Sequence, residues 1–161
     1  MNIREMVDAD LAAALALNND SVPALNELDA AEIERLLGMA ALALTAEVDG
    51  ALAGFCITFP PGVDYASLNY GWFGRKYDDF VYLDRIAVDP AFRRLGIGKA
   101  FYDHVVTRFT GVFPLLLCEV NVRPRNEPSL LFHHSIGFRE VGQQETDGGN
   151  KTVSLLALPL G

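Results

Sequence analysis

Apolar residues along this chain recur at two spacings, every second position in some stretches and every third or fourth in others, and each change of period marks a change of element. From Asp8 an alanine-rich run brings Leu11, Leu15 and Asn18 onto one face, which predicts a first helix capped by Asp8 and ending near Asn18-Asn19-Asp20. A second helix start is stronger. Asp29 with Glu32 three residues on forms a capping box, Leu28 can staple against Ile33, and Ile33, Leu36, Leu37 and Ala40 make the buried stripe. The period then drops to two. Leu42–Val48 and Ala51–Phe59 read as a hairpin turned by Asp49-Gly50, a dipeptide that supplies the positive φ angles of a two-residue turn.

Pro60-Pro61-Gly62 stops the hairpin, and the stretch to Asp79 reads as a long, irregular aromatic loop carrying Tyr65, Tyr70, Trp72, Phe73 and Tyr77. Residues 80–88 form a strand stopped by Asp89-Pro90, and 96–108 a helix with Ile97, Phe101 and Val105 on one side. Residues 114–120 are another apolar strand, and 127–135 a short helix closed by Gly137. A hairpin of 138–144 and 152–158, joined through Asp147-Gly148-Gly149-Asn150, completes the chain. No repeat, low-complexity tract or linker interrupts this order, so the expectation is one mixed α/β domain over residues 1–161.

Composition narrows the function classes. Of 161 residues, 50% are hydrophobic and 21% charged, the balance of a globular protein with its own core. A net charge of -8 repels polyanions, which argues against nucleic acid or an anionic membrane as partner and favours a cationic acceptor. Cys56 and Cys118 sit inside apolar runs without a paired Cys or His, so they read as reduced core residues, and neither a disulfide nor a metal site is expected. The start lacks a basic patch followed by an apolar stretch, and no apolar run nears the roughly 20 residues of a membrane span. The expected location is cytoplasmic.

Against this acidic background, three of the 13 basic residues, Arg93, Arg94 and Lys99, fall within seven positions of one glycine turn between a strand and a helix. Gly96 and Gly98 let the backbone approach a ligand, and a helix start there would aim unsatisfied N–H groups outward with about half a positive charge behind them. Such a corner is an anion cradle. Its spacing fits neither a Walker loop nor a Rossmann fingerprint.

Arg93-Arg94-Leu95-Gly96-Ile97-Gly98 resembles the pyrophosphate loop of the GNAT superfamily, the GCN5-related N-acetyltransferases. The segment 126–138, with Asn126, Phe132, His133, Gly137 and Phe138 in register, is similar to that family's Asn-x-x-Ala-x-x-Leu-Tyr-x-x-x-Gly-Phe segment. The resemblance implies a GNAT-type fold: a central, mostly antiparallel sheet splayed between two strands, flanked by helices, holding acetyl-CoA as co-substrate without a metal. It implies that the backbone of Ile86, Ala87 and Val88 runs beside the pantetheine arm and polarises the thioester carbonyl. Residues 93–99, namely Arg93, Arg94, Leu95, Gly96, Ile97, Gly98 and Lys99, would take the pyrophosphate, and Asn126 and Ser129 would line the coenzyme arm.

Where the family usually has a Tyr that protonates the leaving thiolate, this chain has His133, which can also donate a proton. The incoming ammonium must lose a proton. Glu119, set among Leu116, Leu117, Cys118 and Val120, is the first candidate to take it, with Asp84 or Tyr82 behind; Glu119 could equally pair with Arg85 or Arg123 as a structural ion bridge. Asn19, Tyr70, Trp72 and Phe73 are expected to wall the acceptor side, with Asn69, Asn18 and Ser21 nearby. The expected reaction is direct attack of an amine on the thioester, with a small amine or amino acid ahead of a peptide as acceptor. A non-catalytic acyl-CoA binding or sensing module of the same fold is the rival reading, and a homodimer is left open.

Overall fold

The computed structural model describes residues 1–161. In chain order it contains β1 (Asn2–Glu5), α1 (Leu11–Asp20), α2 (Ala30–Met39), β2 (Leu42–Val48), β3 (Ala51–Phe59) and α3 (Leu68–Lys76). There follow β4 (Val81–Val88), α4 (Ile97–Phe109), β5 (Leu115–Arg123), α5 (Glu127–Ser135), β6 (Arg139–Thr146) and β7 (Lys151–Pro159). The seven strands take the order β1-β2-β3-β4-β5-β7-β6 in a mostly antiparallel sheet. β4 and β5 run parallel, paired at Val81–Leu116 and Tyr82–Leu117. The chain divides into two compact units, one of residues 1–60 and 83–108, the other of residues 61–82 and 109–161.

In the first unit the β2–β3 turn is the expected one: Asp49 and Gly50 have φ of 51° and 78°. α2 starts at its capping box, where Asp29 Oδ1 accepts from the Glu32 N–H at 2.8 Å and Glu32 Oε1 accepts from the Asp29 N–H at 3.1 Å. α1 starts differently from the expectation. Asp8 opens a short 3-10 turn, and the cap-like acceptor is Asp10, whose carboxylate takes the Val7 N–H at 2.8 Å and pairs with Arg4 at 2.8 Å. Arg4 comes from β1, an edge strand too short and too polar to show in the apolar pattern. Gly54 brings β3 and β4 together, since a Cβ there would sit 2.7 Å from the Ala87 carbonyl oxygen.

In the second unit, β5 pairs with β7 along its length from Leu115–Pro159 to Arg123–Thr152, and β7 pairs in turn with β6. The core holds Tyr82, Phe80, Phe73, Leu116, Leu117 and Phe138. The aromatic stretch after Pro60 departs from the expectation of an irregular loop, because it contains α3. Ser67 caps that helix by accepting the Tyr70 N–H at 3.2 Å, and Tyr70 and Phe73, three apart, turn into the core. Gly71 and Gly74 lower the local helix propensity, and packing of the aromatic face overrides it.

α3 is seated on β6 at a bulge between Glu140 and Gly142. The Trp72 ring lies on Gly142 so closely that a Cβ there would meet Cζ2 at 2.5 Å. Gly142→Ala is therefore expected to displace the chain's one tryptophan and to destabilise the protein by about 1–3 kcal/mol. A shifted emission maximum and a lower urea midpoint would show it; unchanged emission would contradict the seating.

Candidate active site

The corner after β4 is built from the strand outward. Asp89 donates its N–H to the Ala53 carbonyl at 2.8 Å and accepts the Ala91 N–H on Oδ1 at 2.9 Å, which turns the chain through Pro90. Arg94 and Gly96 then adopt left-handed φ of 68° and 76°. The first internal bond at the start of α4 runs from the Ala100 N–H to the Gly96 carbonyl, so the N–H groups of Ile97, Gly98 and Lys99 lie outside the helix ladder. Buried Ile97 anchors the turn while Arg93, Arg94 and Leu95 stay exposed.

A Cβ at Gly96 or Gly98 would meet nothing within 4 Å, so the corner has room for a ligand against its backbone. Free N–H donors, a helix start and two exposed guanidinium groups fit a diphosphate such as that of acetyl-CoA. Lys99 departs from the cluster: its Nζ pairs with Asp103 of the same helix at 2.9 Å. Of the strand leading in, Ile86 and Val88 are half-buried and Ala87 is buried.

Asp84 and its neighbour Arg85 are nearly closed to solvent. Arg85 donates Nε–H to Asp84 at 2.8 Å, Nη1 to Asn18 Oδ1 at 3.0 Å and Nη2 to Asn26 Oδ1 at 3.0 Å. Asn19 continues the set by donating to the Leu28 carbonyl and accepting the Leu28 N–H. These groups fasten the α1–α2 connection to β4, and Asn19 is occupied in holding its own loop rather than facing a ligand.

Glu119 lies in the second unit and is met there by two neutral donors. The Tyr82 hydroxyl is 2.7 Å and 2.9 Å from its two oxygens, and Asn69 Nδ2 donates to Oε1 at 3.1 Å. Asn69 Oδ1 in turn accepts from Gln144 Nε2 at 3.0 Å. Arg123 donates to the Gly149 carbonyl instead. The result is a half-buried carboxylate held by a phenol and an amide, a group able to receive an ammonium or its proton.

α5 carries the other titratable group. Asn126 caps the helix through the Ser129 N–H, and His133 Nδ1 is 2.6 Å from the Ser129 carbonyl oxygen. A carbonyl only accepts, so Nδ1 carries the hydrogen. Burial lowers the His133 pKa below the ordinary imidazole value; the Ser129 bond works against that, and His134 adds to it.

Two residues expected to wall the acceptor do not face outward. Phe73 is fully buried, and Tyr70, 6% exposed, packs its ring on Tyr82 and accepts the Val63 N–H on its hydroxyl. Both belong to the core, because the helix that carries them turns their side of α3 inward. Trp72 remains half-buried on Gly142. Gln144 was invisible to sequence reasoning: it is a polar residue on a polar strand, with no motif around it. The cysteines are free and buried, the Cys56 thiol being pushed up to about 12 by desolvation. No group of three or more His, Cys, Asp or Glu is placed to hold a metal ion, and no helix is long and apolar enough to cross a membrane.

Comparison with known proteins bears on this arrangement. The family model of the Acetyltransferase (GNAT) family matches residues 10–138. A peptidyl-lysine N-acetyltransferase, YjaB, of Salmonella typhimurium is 31% identical over 77 residues, 48% of this chain and 49% of that protein. The ribosomal protein bS18 alanine N-acetyltransferase of Escherichia coli is 32% identical over 84 residues, 48% of this chain and 55% of that protein. The matched segment thus spans about half the length of these curated relatives. Among solved structures, the ribosomal-protein-S18-alanine N-acetyltransferase of Escherichia coli superposes with a TM-score of 0.77 at 22% identity, over 99% of this chain and 94% of that one. YncA of Salmonella typhimurium, solved with its cofactor acetyl-CoA, superposes with a TM-score of 0.73 at 20% identity, over 100% and 94% of the two chains. With the family model covering most of its length and the same fold in these structures, the chain belongs to the GNAT acetyltransferase family.

Proposed function

We propose that this protein transfers the acetyl group of acetyl-CoA to a primary amine by direct attack on the thioester. The observation that carries the proposal is the corner at 94–99, where three helix-start N–H groups lie outside the helix ladder and a Cβ at Gly96 or Gly98 would meet nothing within 4 Å. The coenzyme diphosphate is read as sitting there with Arg93 and Arg94, and the backbone of Ile86, Ala87 and Val88 as lying along the acyl arm; for Asn126 and Ser129 of the second unit the coenzyme-lining role is the one the resemblance implies. The names of the relatives, a ribosomal-protein alanine and a peptidyl-lysine acetyltransferase, favour an amine on a polypeptide over the free small amine expected from sequence. The net charge of -8 suits such a cationic acceptor.

In this reading Glu119 accepts the ammonium and takes its proton. As the N–C bond forms and the C–S bond breaks, His133 in its imidazolium form gives its proton to the departing sulfur, and the surplus proton on the new amide nitrogen passes to solvent water. Asp84 has a structural role with Arg85, since its carboxylate is committed to a buried guanidinium. Cys118, 3% exposed, takes no part.

Gly96→Val forces a β-branched residue into a φ of 76° and fills the open corner. Calorimetry with coenzyme A is expected to show affinity down at least tenfold, and retained affinity would contradict the cradle. Glu119→Gln is expected to lower kcat/KM by about 10² or more and to remove the acidic limb of its pH profile.

The pH behaviour of His133 has a definite sign. Its charged form is the donor and burial lowers its pKa, so kcat should decline as pH rises through a midpoint below the usual imidazole value. His133→Tyr should move that decline toward pH ~10, the phenol range. A wild-type profile without the decline would remove His133 from the proton path.

A further inference from the structure

We infer that Asn69 and Gln144 are positioning residues that orient the Glu119 carboxylate and bias it toward its ionised form, so that α3 and β6 set the properties of the group that meets the amine. The inference rests on the reading of Glu119 given above.

The argument starts from the two ends of an amide. Asn69 has one acceptor and one donor end, and the structure uses each once: Oδ1 accepts from Gln144 Nε2 at 3.0 Å, and Nδ2 donates to Glu119 Oε1 at 3.1 Å. Because Gln144 already donates to Oδ1, the NH₂ end has to face the carboxylate. Replace Gln144 with an apolar residue and the Asn69 amide is free to turn, presenting an oxygen to Glu119. A donor beside a carboxylate favours its charged form, whereas an acceptor there favours protonation. The Gln144 donor on β6 therefore reinforces the orientation that the carboxylate itself favours, so the chain of bonds runs in one direction from β6 to Glu119.

A second contact holds the same two faces together. Asn69 and Trp72 stand three apart on α3, and Gly142 and Gln144 stand two apart on β6 beyond its bulge, so each pair shares a face. Trp72 rests on Gly142 while Asn69 meets Gln144. The helix is thus located against the strand by one apolar and one polar contact, and Asn69 is delivered to Glu119 from a fixed seat.

The groups around Glu119 are identifiable. Tyr82 from β4 is a titratable group in contact, at 2.7 Å and 2.9 Å, and α5, which carries Glu127, His133 and His134, also packs on β5. From β7 the register partner is apolar Leu155. The β6 carboxylate Glu140 is taken up by Gln143 and Ser154, and the α3 cation Lys76 lies over the Trp72 ring. The Asn69 bond can then be varied on its own. Asn69→Asp keeps the shape and keeps an acceptor for Gln144, but puts a second anion where the donor was.

The test is a ¹³C NMR titration of the glutamate carboxyl groups in the full chain, with the Glu119 resonance assigned by its disappearance in Glu119→Gln. Asn69→Asp is expected to raise the Glu119 midpoint by about one pH unit or more through like-charge repulsion. Asn69→Leu should raise it by less. Gln144→Leu should raise it in the same direction, and Asn69→Leu combined with Gln144→Leu should match Asn69→Leu alone, because both changes act through one bond. Gln144→Leu and Asn69→Ser keep the question open to test should Asn69→Asp not fold. A Glu119 midpoint unmoved in the folded variants of both positions would overturn the inference. This outcome is separate from the role of Glu119 itself, which the pH profile of Glu119→Gln decides: a carboxylate can be tuned by Asn69 and still not be the base, and the two measurements report those failures independently.

Discussion

A carboxylate set into an apolar strand raises the free energy of the fold until donors meet it, and much of the second unit is arranged around that demand. Glu119 sits among Leu116, Leu117, Cys118 and Val120, all buried. Its donors come from elsewhere in the chain, the Tyr82 hydroxyl from β4 and the Asn69 amide from α3. α3 can supply Asn69 only because Tyr70 and Phe73 drive the opposite face of the helix into the core and Trp72 lands on a glycine of β6. Two of the donors that meet the carboxylate, a phenol and an amide, are neutral.

Asp84 shows the contrasting outcome from the same starting chemistry. It too is a carboxylate on a central strand, but its neighbour Arg85 is a buried guanidinium whose remaining donors reach Asn18 and Asn26. Charge meets charge, and the pair serves to fasten the α1–α2 connection. Two acidic residues that look alike in the sequence thus part company on the identity of one neighbour. The corner at 94–99 follows a third logic, in which the unsatisfied groups are backbone N–H donors left by a helix start and opened by glycine, with Lys99 diverted to Asp103.

In the proposed reaction, a histidine on α5 takes the place of a phenol as proton donor. A phenol donates from an ordinary pKa near 10 and is protonated throughout the neutral range, whereas an imidazole donates only from its charged form. Here the Ser129 carbonyl holds the Nδ1 hydrogen, and desolvation lowers the pKa below the ordinary imidazole value. The same helix turn that caps α5 through Asn126 therefore also selects the tautomer.

Much of this protein was legible in its residues. The capping box at Asp29-Glu32, the Asp49-Gly50 turn, the strand–glycine–helix corner and the α5 segment with Gly137 at φ 108° are local devices, fixed by groups within a few positions of one another, and periodicity or spacing reports them directly. The α3 helix was not legible, since its two glycines and crowded aromatics argue locally for a loop and only burial of Tyr70 and Phe73 pulls the helix into place. Nor were the partners of Glu119. Asn69 lies 50 residues from it and Gln144 75 residues from Asn69, and hydrogen bonds across such separations are written by packing rather than by any local pattern. The sequence by itself determined most of the elements, the glycine turn between β4 and α4 and the resemblance to the family, because each rests on short-range geometry. Tertiary structure decided that Glu119 is met by a phenol and an amide and Asp84 by a guanidinium, because that depends on the donors the folded chain carries to each.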